Sequence, residues 1–475
     1  MKSIEVFVAN ALGIPTARIT DDLAYQSIVE WDSFAHVQMM LALEQELDVE
    51  ITNELMIELD SIRAIKAYAS RLKSSAAAAA PAPDTANVDR HHRAVEIHRG
   101  LSGIHFDHSS ITFIDGEAGR LEYRGYDVNA LAEGASFEEA VWLLLYGELP
   151  TARDLAQIRR DLARARVLPQ QVLTIIEALK SAHPMVALRT VVSALATYES
   201  GGGGGEADAA TGIRLIGQVP AVIAAHHALR NGRVPLQPDP ARSHADDFLR
   251  MLLGHEPLPE LSRLVDQDLI VHADHSSNAS AFAARVAISA GADPHAAITA
   301  ALATFAGPLH GGAVEAVLHQ IDRIGEPERA AAFVRDLQSQ SQPVIGFGHR
   351  VYRTEDPRVR HFRATAQAMS RRHGNTRDFE TVEALVAAMK PFARLGIGPN
   401  VDLYAGLVYR LMRLPDDLAT AIFAAGRMPG WIAQALEQKS NNILIRPLLQ
   451  YAGKPSRPFV PLAERANWPD TVIAA

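Results

Sequence analysis

The chain has 475 residues, a length that favours roughly two to four domains. Its composition, 48% hydrophobic and 21% charged residues, is globular, and its net charge of -9 argues against a nucleic-acid partner. The absence of cysteine excludes disulfides, thiolate metal sites and a cysteine nucleophile. Because the sequence shows neither a bilayer-spanning apolar run nor a signal-peptide pattern, we expect a cytoplasmic protein without a membrane partner.

The first 73 residues form an acidic unit. They contain 12 Asp and Glu against 6 Lys and Arg, and so account for six of the nine net negative charges. The segment after them opens with SSAAAAAPAPDTANVD, a low-complexity run typical of an extended tether. We therefore predict a domain at 1–73 and an Ala/Pro-rich linker at 74–97.

Within the acidic unit, WDSFAHVQMMLALEQELDVEIT at 31–52 places apolar residues at helical spacing behind Asp32 and Ser33. A simple helix cap would explain this dipeptide by itself. The whole of 1–73, however, resembles an acyl carrier protein, a four-helix bundle whose DSx motif opens the second helix, although Phe34 replaces the usual leucine. The resemblance implies that Ser33 carries 4′-phosphopantetheine, attached by a phosphopantetheinyl transferase and charged by acyl-loading enzymes.

The carrier-like unit also has acidic side chains that would face basic partner enzymes, although a solvated surface predicts the same charges. They are Glu44, Glu46, Asp48, Glu54 and Glu58.

After the linker the sequence is rich in Ala and Leu and predominantly helical. ITFIDGEAGRLEYRG at 111–125 predicts a β-hairpin. SFEE at 136–139 is a capping box before a helix that ends at Gly147. We interpret GGGGGEADAA at 201–210 as a surface loop rather than a phosphate-binding loop, because no GKS or GKT follows it.

Three short segments bring together residues suited to acid-base chemistry at carbon. GPLHGGA at 307–313, GFGHRVYRTEDPR at 346–358 and PNVD at 399–402 contain His310, His349 and Asp402. Glycine and proline around them allow the backbone to approach a ligand closely. The spacing of His272 and His275 is also compatible with zinc, but no third ligand is nearby in sequence, and we expect no metal.

Residues 98–475 resemble a citrate synthase throughout. Six motifs occur in the family's order and spacing: YRGYDVNALAEGASFEEAVWLLLYGELP, HADHSSNAS, GPLHGGAVEA, GFGHRVYRTEDPR, PNVDLYAG and GRMPGWIAQALEQ. The resemblance implies an all-α fold with a small N-terminal hairpin. It also implies a large domain at 98–311 and 416–475, and a small domain at 312–415 that closes over the substrate.

The resemblance further implies an acyltransferase that condenses an acyl thioester with oxaloacetate and hydrolyses the product to citrate or a substituted citrate. On the matching motifs, Asp402 is the general base and His310 donates a hydrogen bond to the thioester oxygen. His349 polarises the ketone of oxaloacetate.

Oxaloacetate is a dianion, and guanidinium groups bind carboxylates in a bidentate manner. The family's oxaloacetate-binding residues match His275, Arg358, Arg427 and Arg446. Because the family takes the last of these from the neighbouring subunit, the resemblance implies a homodimer with composite active sites.

The thioester-binding region departs from the family's pattern. Arg353 and Arg394 are candidates for binding coenzyme A or phosphopantetheine, but Leu395 and Gly396 stand where many relatives have a lysine. Leu448 stands where many have another arginine. We therefore expect weaker binding of free coenzyme A.

These features favour a condensing enzyme that uses an acyl group carried on coenzyme A or on its own carrier domain, where tethering raises the effective donor concentration. Two alternatives remain. One is an ordinary citrate or 2-methylcitrate synthase that uses acyl-CoA, with the carrier domain in a regulatory or docking role. The other is a non-catalytic carrier and dimerisation scaffold.

Overall fold

The computed structural model describes most of the chain. The described residues are 4–74 except 26, 29, 32, 48, 50 and 52; 97–198 except 102; 204–453 except 375; and 459–462 and 465. Within them the chain forms helices and one small sheet, which confirms the predicted all-α class. No helix in these ranges is long and apolar enough to cross a membrane. Most of the predicted linker, 75–96, lies outside the described residues.

The N-terminal unit is a four-helix bundle, as predicted. Its helices are α1 (Ile4–Leu12), α2 (Ser33–Leu47), α3 (Asn53–Glu58) and α4 (Ile62–Ser74). Val8, Met39, Leu43 and Ile65 are fully buried between them, which explains why a short, acidic sequence forms a packed core. The second helix begins at Ser33, the residue that the sequence motif predicts at that position.

Two buried side chains fix the turn that leads into α2. The indole Nε1–H of Trp31 donates to Nδ1 of His36 at 3.0 Å, and Nε2 of His36 lies 3.1 Å from the carbonyl oxygen of Met56. Because indole N–H is only a donor, His36 must carry its own proton on Nε2. Burial lowers the pKa of His36 and favours this neutral form. The backbone on both sides of Ser33 is thereby tied to α3.

The predicted hairpin opens the second part of the chain. Strands β1 (Thr112–Asp115) and β2 (Arg120–Tyr123) are antiparallel, with Thr112 opposite Tyr123. A two-residue strand, β3 (Tyr126–Asp127), pairs with β2 and was not predicted. The Asp127 carboxylate accepts backbone N–H groups of the following helix, which sets the start of α5.

The central part of the chain is a succession of helices. The capping box at Ser136 and Glu139 is present, and the helix after it ends at a left-handed Gly147, as predicted. The helices are α5 (Val128–Gly134), α6 (Phe137–Tyr146), α7 (Ala152–Ala165), α8 (Gln170–Ala178), α9 (Pro184–Leu195), α10 (Gly204–Arg230), α11 (His244–Leu253), α12 (Pro259–His272), α13 (Ala279–Ser289) and α14 (Pro294–Phe305).

The prediction of a surface loop at 201–210 is wrong from Gly204 onward, because α10 begins at that residue. The run EADAA consists mainly of helix-forming residues and continues directly into a long apolar helix, so the helical preference extends back to the last glycines. Residues 201–203 lie outside the described residues.

The last helices surround the residues singled out in the sequence. They are α15 (Ala313–Ile324), α16 (Ala330–Ser339), α17 (Val359–His373), α18 (Arg377–Ala393), α19 (Val401–Leu411) and α20 (Ala419–Ser440). Helix α20 is the central element, since it is buried from Ala419 to Ala435 and packs against α10, α12 and α13. After α20 the chain continues as an exposed extended segment, 441–453.

Candidate active site

His310 lies in the loop between α14 and α15, and its ring is fixed by Ser280 at the start of α13. Nε2 of His310 lies 2.8 Å from the Ser280 hydroxyl and 3.3 Å from the Ser280 backbone nitrogen. Because a backbone N–H can only donate, Nε2 is the acceptor and Nδ1 carries the proton. Burial lowers the pKa of His310 to about 4, and Arg427 adds to the effect. The ring is therefore a neutral donor through Nδ1–H.

His349 is fixed in the opposite tautomer. The backbone N–H groups of Val351 and Tyr352 donate to its Nδ1 at 3.0 and 3.2 Å, so the proton lies on Nε2. Burial lowers the pKa of His349 to about 4. The site thus contains two neutral imidazoles, and among the residues that the structure describes neither has a hydrogen-bond partner on its remaining N–H, so each can donate to a ligand.

Backbone hydrogen bonds join the His349 loop to the segment before Asp402. The N–H of Gly348 donates to Gly398 at 2.8 Å, and the N–H of Asn400 donates to Gly346 at 2.9 Å. The Asn400 side chain accepts from the Asp402 backbone N–H at 3.2 Å and thereby caps α19. His349 and Asp402 are consequently positioned by one shared piece of backbone.

Asp402 occupies the first turn of α19. Although part of the residue is open to solvent, dense packing around its carboxylate raises its pKa to about 7, against the opposing effect of Arg358. A carboxylate with a pKa near the working pH accepts a proton more readily than an ordinary aspartate.

Arg358 is held by Asp356, a residue that sequence reasoning missed. Nε and Nη2 of Arg358 donate to the two carboxylate oxygens of Asp356 at 2.9 and 2.7 Å, and both side chains are buried. Asp356 also accepts the N–H of Val401 at 3.3 Å, which links the arginine to α19. The guanidinium has further N–H groups beyond the two that bind Asp356, and these can bind an anion.

Arg427 extends from α20 and is the second buried cation. Its Nε donates to the carbonyl oxygen of His272, and its guanidinium lies 5.1 Å from the centre of the Phe423 ring. Burial and the positive charge of Arg358 lower its pKa to about 10, so it remains charged near neutral pH. Two neighbouring buried cations that repel each other favour an anionic ligand between them.

His275 and Tyr352 complete the group around His349. Nε2 of His275 lies 3.2 Å from the Tyr352 hydroxyl, and its ring centre lies 4.9 Å from that of His349. Tyr352 is fully buried, and burial raises its pKa, which keeps the phenol protonated. Its hydroxyl therefore positions His275 while its backbone positions His349.

The two members of the HxxH pair have different surroundings. Nδ1 of His272 lies 2.9 Å from the Asp268 carboxylate inside α12, whereas His275 follows the end of that helix and contacts Tyr352. In the part of the chain that the structure describes, no group of three or more His, Asp or Glu side chains is arranged to bind a metal.

The remaining predicted residues lie away from this group or at its edge. Arg353 is exposed, but its backbone N–H donates to Gly116 in the hairpin at 2.9 Å, and its charge contributes to the lowered pKa of His349. Arg394 follows α18 and contacts Glu44 of the N-terminal bundle. Arg446 is exposed on the segment after α20 and contacts none of the site residues described above.

Sequence reasoning did not single out Ser280, Tyr352, Asp356 or Trp431, whose indole N–H donates to the Ser280 hydroxyl at 3.0 Å. All four lie inside motifs already recognised, in HADHSSNAS, GFGHRVYRTEDPR and GRMPGW. Their roles depend on contacts between distant segments, which the motifs do not specify.

Comparisons with known proteins match both parts of the chain. Residues 100–448 match the model of the citrate synthase C-terminal domain, and residues 3–69 match the phosphopantetheine attachment site. Citrate synthase 2 of Bacillus subtilis is 38% identical over 375 residues, covering 78% of this chain and 99% of that protein. The 2-methylcitrate synthase 2 of Corynebacterium glutamicum is also 38% identical, over 378 residues, covering 78% of this chain and 98% of that protein.

Solved structures give the same result. The citrate synthase of the archaeon Thermoplasma acidophilum, in a ternary complex with carboxymethyl coenzyme A and oxaloacetate, superposes with a TM-score of 0.75 at 33% identity, covering 78% of this chain and all of that one. The enzyme from Thermotoga maritima superposes with a TM-score of 0.72, also at 33% identity, covering 78% of this chain and all of that one.

Proposed function

The chain belongs to the citrate synthase family and is an acyltransferase with an N-terminal phosphopantetheine-attachment domain, and we propose that it condenses a carrier-bound or CoA-bound acyl group with oxaloacetate. Hydrolysis of the resulting thioester then gives citrate or a substituted citrate. The observation that supports this most strongly is the pair of neutral imidazole donors beside one carboxylate of raised pKa and two buried guanidinium groups.

The first step is removal of a proton from the carbon next to the thioester carbonyl. Asp402 takes this proton, and the electron pair of the broken C–H bond moves toward the carbonyl oxygen. His310 donates its Nδ1–H to that oxygen as negative charge builds on it. A neutral donor suits this task, because it stabilises the enolate without a buried positive charge.

The second step forms the carbon-carbon bond. The enolate carbon attacks the ketone carbon of oxaloacetate, and the electron pair of the C=O π bond moves to the ketone oxygen. This oxygen is hydrogen-bonded to Nε2–H of His349 and takes up a proton to become a hydroxyl group. Arg358 and Arg427 bind the carboxylates of oxaloacetate, while His275 makes a further contact. Water then cleaves the C–S bond of the thioester, which releases a thiol and a free carboxylate.

We propose that the active unit is a homodimer in which Arg446 of one subunit completes the oxaloacetate site of the other. This proposal is supported by the exposed segment that contains Arg446. Several of its large apolar side chains are exposed: Ile443, Leu444, Leu448, Leu449 and Tyr451. An apolar segment of this kind is better explained by packing against another subunit than by contact with water.

The N-terminal bundle fits the attachment of 4′-phosphopantetheine to Ser33, which would supply a flexible thiol for holding an acyl group as a thioester. Because α2 begins at Ser33, the first N–H groups of the helix lack helical partners and favour a phosphodiester there. The hydrogen bonds of Trp31 and His36 fix the preceding turn. A phosphopantetheinyl transferase and enzymes that load the acyl group are the partners this requires, and we place the protein in the cytoplasm with them.

The acyl group is the open part of the proposal, because the relatives include both a citrate synthase and a 2-methylcitrate synthase at the same identity. The test is to supply acetyl-CoA or propionyl-CoA with oxaloacetate, then measure thiol release and the mass of the product. We expect release that depends on oxaloacetate and is lost in Asp402→Ala. Thiol release without oxaloacetate would contradict the proposed condensation, and so would the absence of product from acetyl-CoA, propionyl-CoA and acyl-Ser33 alike.

A further inference from the structure

The carrier domain contacts the synthase part of the chain at two positions along α2. Oε2 of Glu44 lies 3.2 Å from Nη2 of Arg394, and the side-chain amide of Gln38 donates to the carbonyl oxygen of Gln338 at 3.1 Å. Gln338 belongs to α16 and Arg394 follows α18, and these two helices pack against each other. Helix α2 therefore lies on a single surface of the synthase.

A contact within the carrier domain fixes the orientation of the Glu44 side chain. Its other oxygen accepts the backbone N–H of Ile51 at 2.9 Å, and the side chain is only 15% exposed, whereas Arg394 is 52% exposed. The acidic side chain is thus fixed in direction rather than free in solvent, and it meets a cation. This arrangement favours a docking contact over a merely solvated acidic face.

The docking contact is connected to the His349 loop through Gly396. This glycine has a φ of +73°, and a Cβ there would lie 3.2 Å from the Cα of Arg353, so the backbone after Arg394 passes directly against the His349 loop. Arg353 in turn lies close enough to His349 for its charge to act on that ring. The carrier is therefore held at the edge of the candidate active site.

Docking through Gln38 and Glu44 leaves the first turn of α2, which contains Ser33, outside the contact. Ser33 and Glu44 are at opposite ends of α2, about 16 Å apart along the helix axis. The stretch of α2 from Gln38 to Glu44 can thus hold the carrier in place while the first turn of the helix presents the attached arm.

We propose that Gln38 and Glu44 of the carrier, with Gln338 and Arg394 of the synthase, form the surface on which this chain's own carrier domain docks to deliver its acyl group. The inference rests on the proposed function. Since a partly exposed ion pair is weak, docking is transient and depends on the tether, which raises the local carrier concentration.

The same contact affects the use of free coenzyme A. Arg394 was a candidate for binding a coenzyme A phosphate, and in the docked state it binds Glu44 instead. A docked carrier therefore competes with free acyl-CoA for this cation. Glu44→Gln, which keeps an acceptor for the Ile51 N–H but removes the charge, should lower the KM for acyl-CoA.

The absence of cysteine in the chain permits a direct test of docking in the full-length protein. Gln38→Cys and Gln338→Cys introduce one thiol on each side of the surface, and a short thiol-reactive crosslinker should join them within one chain. Adding Glu44→Lys should slow crosslinking by about fivefold or more, and adding Arg394→Glu to that variant should restore it. Glu46→Lys, an exposed position on the same helix, is the matched control and should leave the rate unchanged.

The crosslinking result does not depend on whether the acyl group on Ser33 reacts with oxaloacetate. A rate that is insensitive to Glu44→Lys, or a crosslink that forms only between two chains, would overturn docking in cis even if acyl-Ser33 is consumed. The expected crosslinking pattern together with an acyl-Ser33 that oxaloacetate never consumes would leave docking in place and contradict carrier-bound donation. A lower KM for acyl-CoA in Glu44→Gln but not in Glu46→Gln would support the competition, and equal KM values would contradict it.

Discussion

The protonation of the two site imidazoles follows from backbone amides. His310 receives a backbone N–H at Nε2, and His349 receives two at Nδ1, so each ring has a fixed donor on its other nitrogen. Their lowered pKa values near 4 prevent a competing charged form. The two rings therefore serve as neutral hydrogen-bond donors. Among the described site residues, Asp402 is the one whose pKa of about 7 suits it to act as a base.

Asp402→Asn should lower kcat by about a thousandfold, because it removes the proposed general base while preserving the shape of the side chain. In the wild type, kcat/KM should rise with pH and level off above about 7, where the Asp402 carboxyl loses its proton. A steady-state pH profile measures both effects. A profile that is flat between pH 5 and about 8 would contradict the role of this group.

The raised pKa of the Asp402 carboxyl should lower the free energy of unfolding near neutral pH. Its folded pKa of about 7 is above the unfolded value of about 4, so the folded state binds more protons between these values and loses stability as pH rises through them. Near neutral pH, Asp402→Asn should therefore be more stable than the wild type, by up to about 4 kcal/mol. Urea unfolding at low and neutral pH gives the comparison, and the difference should shrink in acid.

Ser280→Ala tests how much the hydroxyl contact at Nε2 contributes to holding the His310 ring. The variant removes the hydroxyl 2.8 Å from Nε2 but keeps the backbone N–H, so kcat should fall by about tenfold, the contribution of one hydrogen bond. The KM for oxaloacetate should not change, because the guanidinium groups are untouched. A change in KM with no change in kcat would indicate a purely structural effect.

At the scale of elements, the β1–β2 hairpin supports the His349 loop. A Cβ at Gly116 would lie 2.2 Å from the carbonyl oxygen of Val351, and the Gly116 carbonyl accepts the N–H of Arg353. Only glycine permits this approach of two backbones. The hairpin is thus part of the support for His349 rather than a peripheral feature.

Gly116→Ala should displace the loop and lower kcat/KM by at least about tenfold, since small displacements of reacting groups are costly. Gly134→Ala is the matched control, because a Cβ there meets nothing within 4 Å. Steady-state assays of both variants test this expectation. Equal activities would show that the hairpin does not position His349.

Elements whose signals are local could be predicted from the sequence. The capping box at Ser136, the hairpin and the start of α2 at Ser33 each depend on a few neighbouring residues. The start of α10 was missed because helix-forming residues follow the glycines and override them. The contact between Glu44 and Arg394 was also missed, because it joins residues 350 positions apart.

The candidate site residues also divide into those with a local sequence signal and those whose roles depend on distant contacts. His310, His349 and Asp402 could be identified because their motifs are distinctive. Asp356 and Tyr352 could not be assigned a role, since their effects depend on Arg358 and His275 in the folded chain.

At the scale of the whole molecule, the exposed segment with Arg446 predicts shared active sites. Asp402→Asn and Arg446→Ala should each be nearly inactive alone. A mixed dimer of the two should regain one complete site, which contains Asp402 of one subunit and Arg446 of the other. Random reassembly of equal amounts should therefore recover about a quarter of wild-type activity.

Mass measurement of the mixed dimers and assay of the reassembled sample test this prediction. Activity should not recover when both substitutions are placed on the same chain and no other chain is present, because every dimer then lacks both residues at each site. No recovery from the two single variants, despite formation of mixed dimers, would contradict a site shared between subunits.

The carrier domain distinguishes this molecule from an ordinary synthase, and we propose that it donates its acyl group for condensation with oxaloacetate. The most direct measurement loads Ser33 of the full-length protein with an isotopically labelled acyl-phosphopantetheine, removes free coenzyme A, and adds oxaloacetate. We expect loss of the acyl mass from the Ser33 peptide with formation of an equal amount of labelled citrate or substituted citrate, and no such loss in Asp402→Asn. An acyl group that stays on Ser33, while the same sample turns over acyl-CoA, would contradict this proposal.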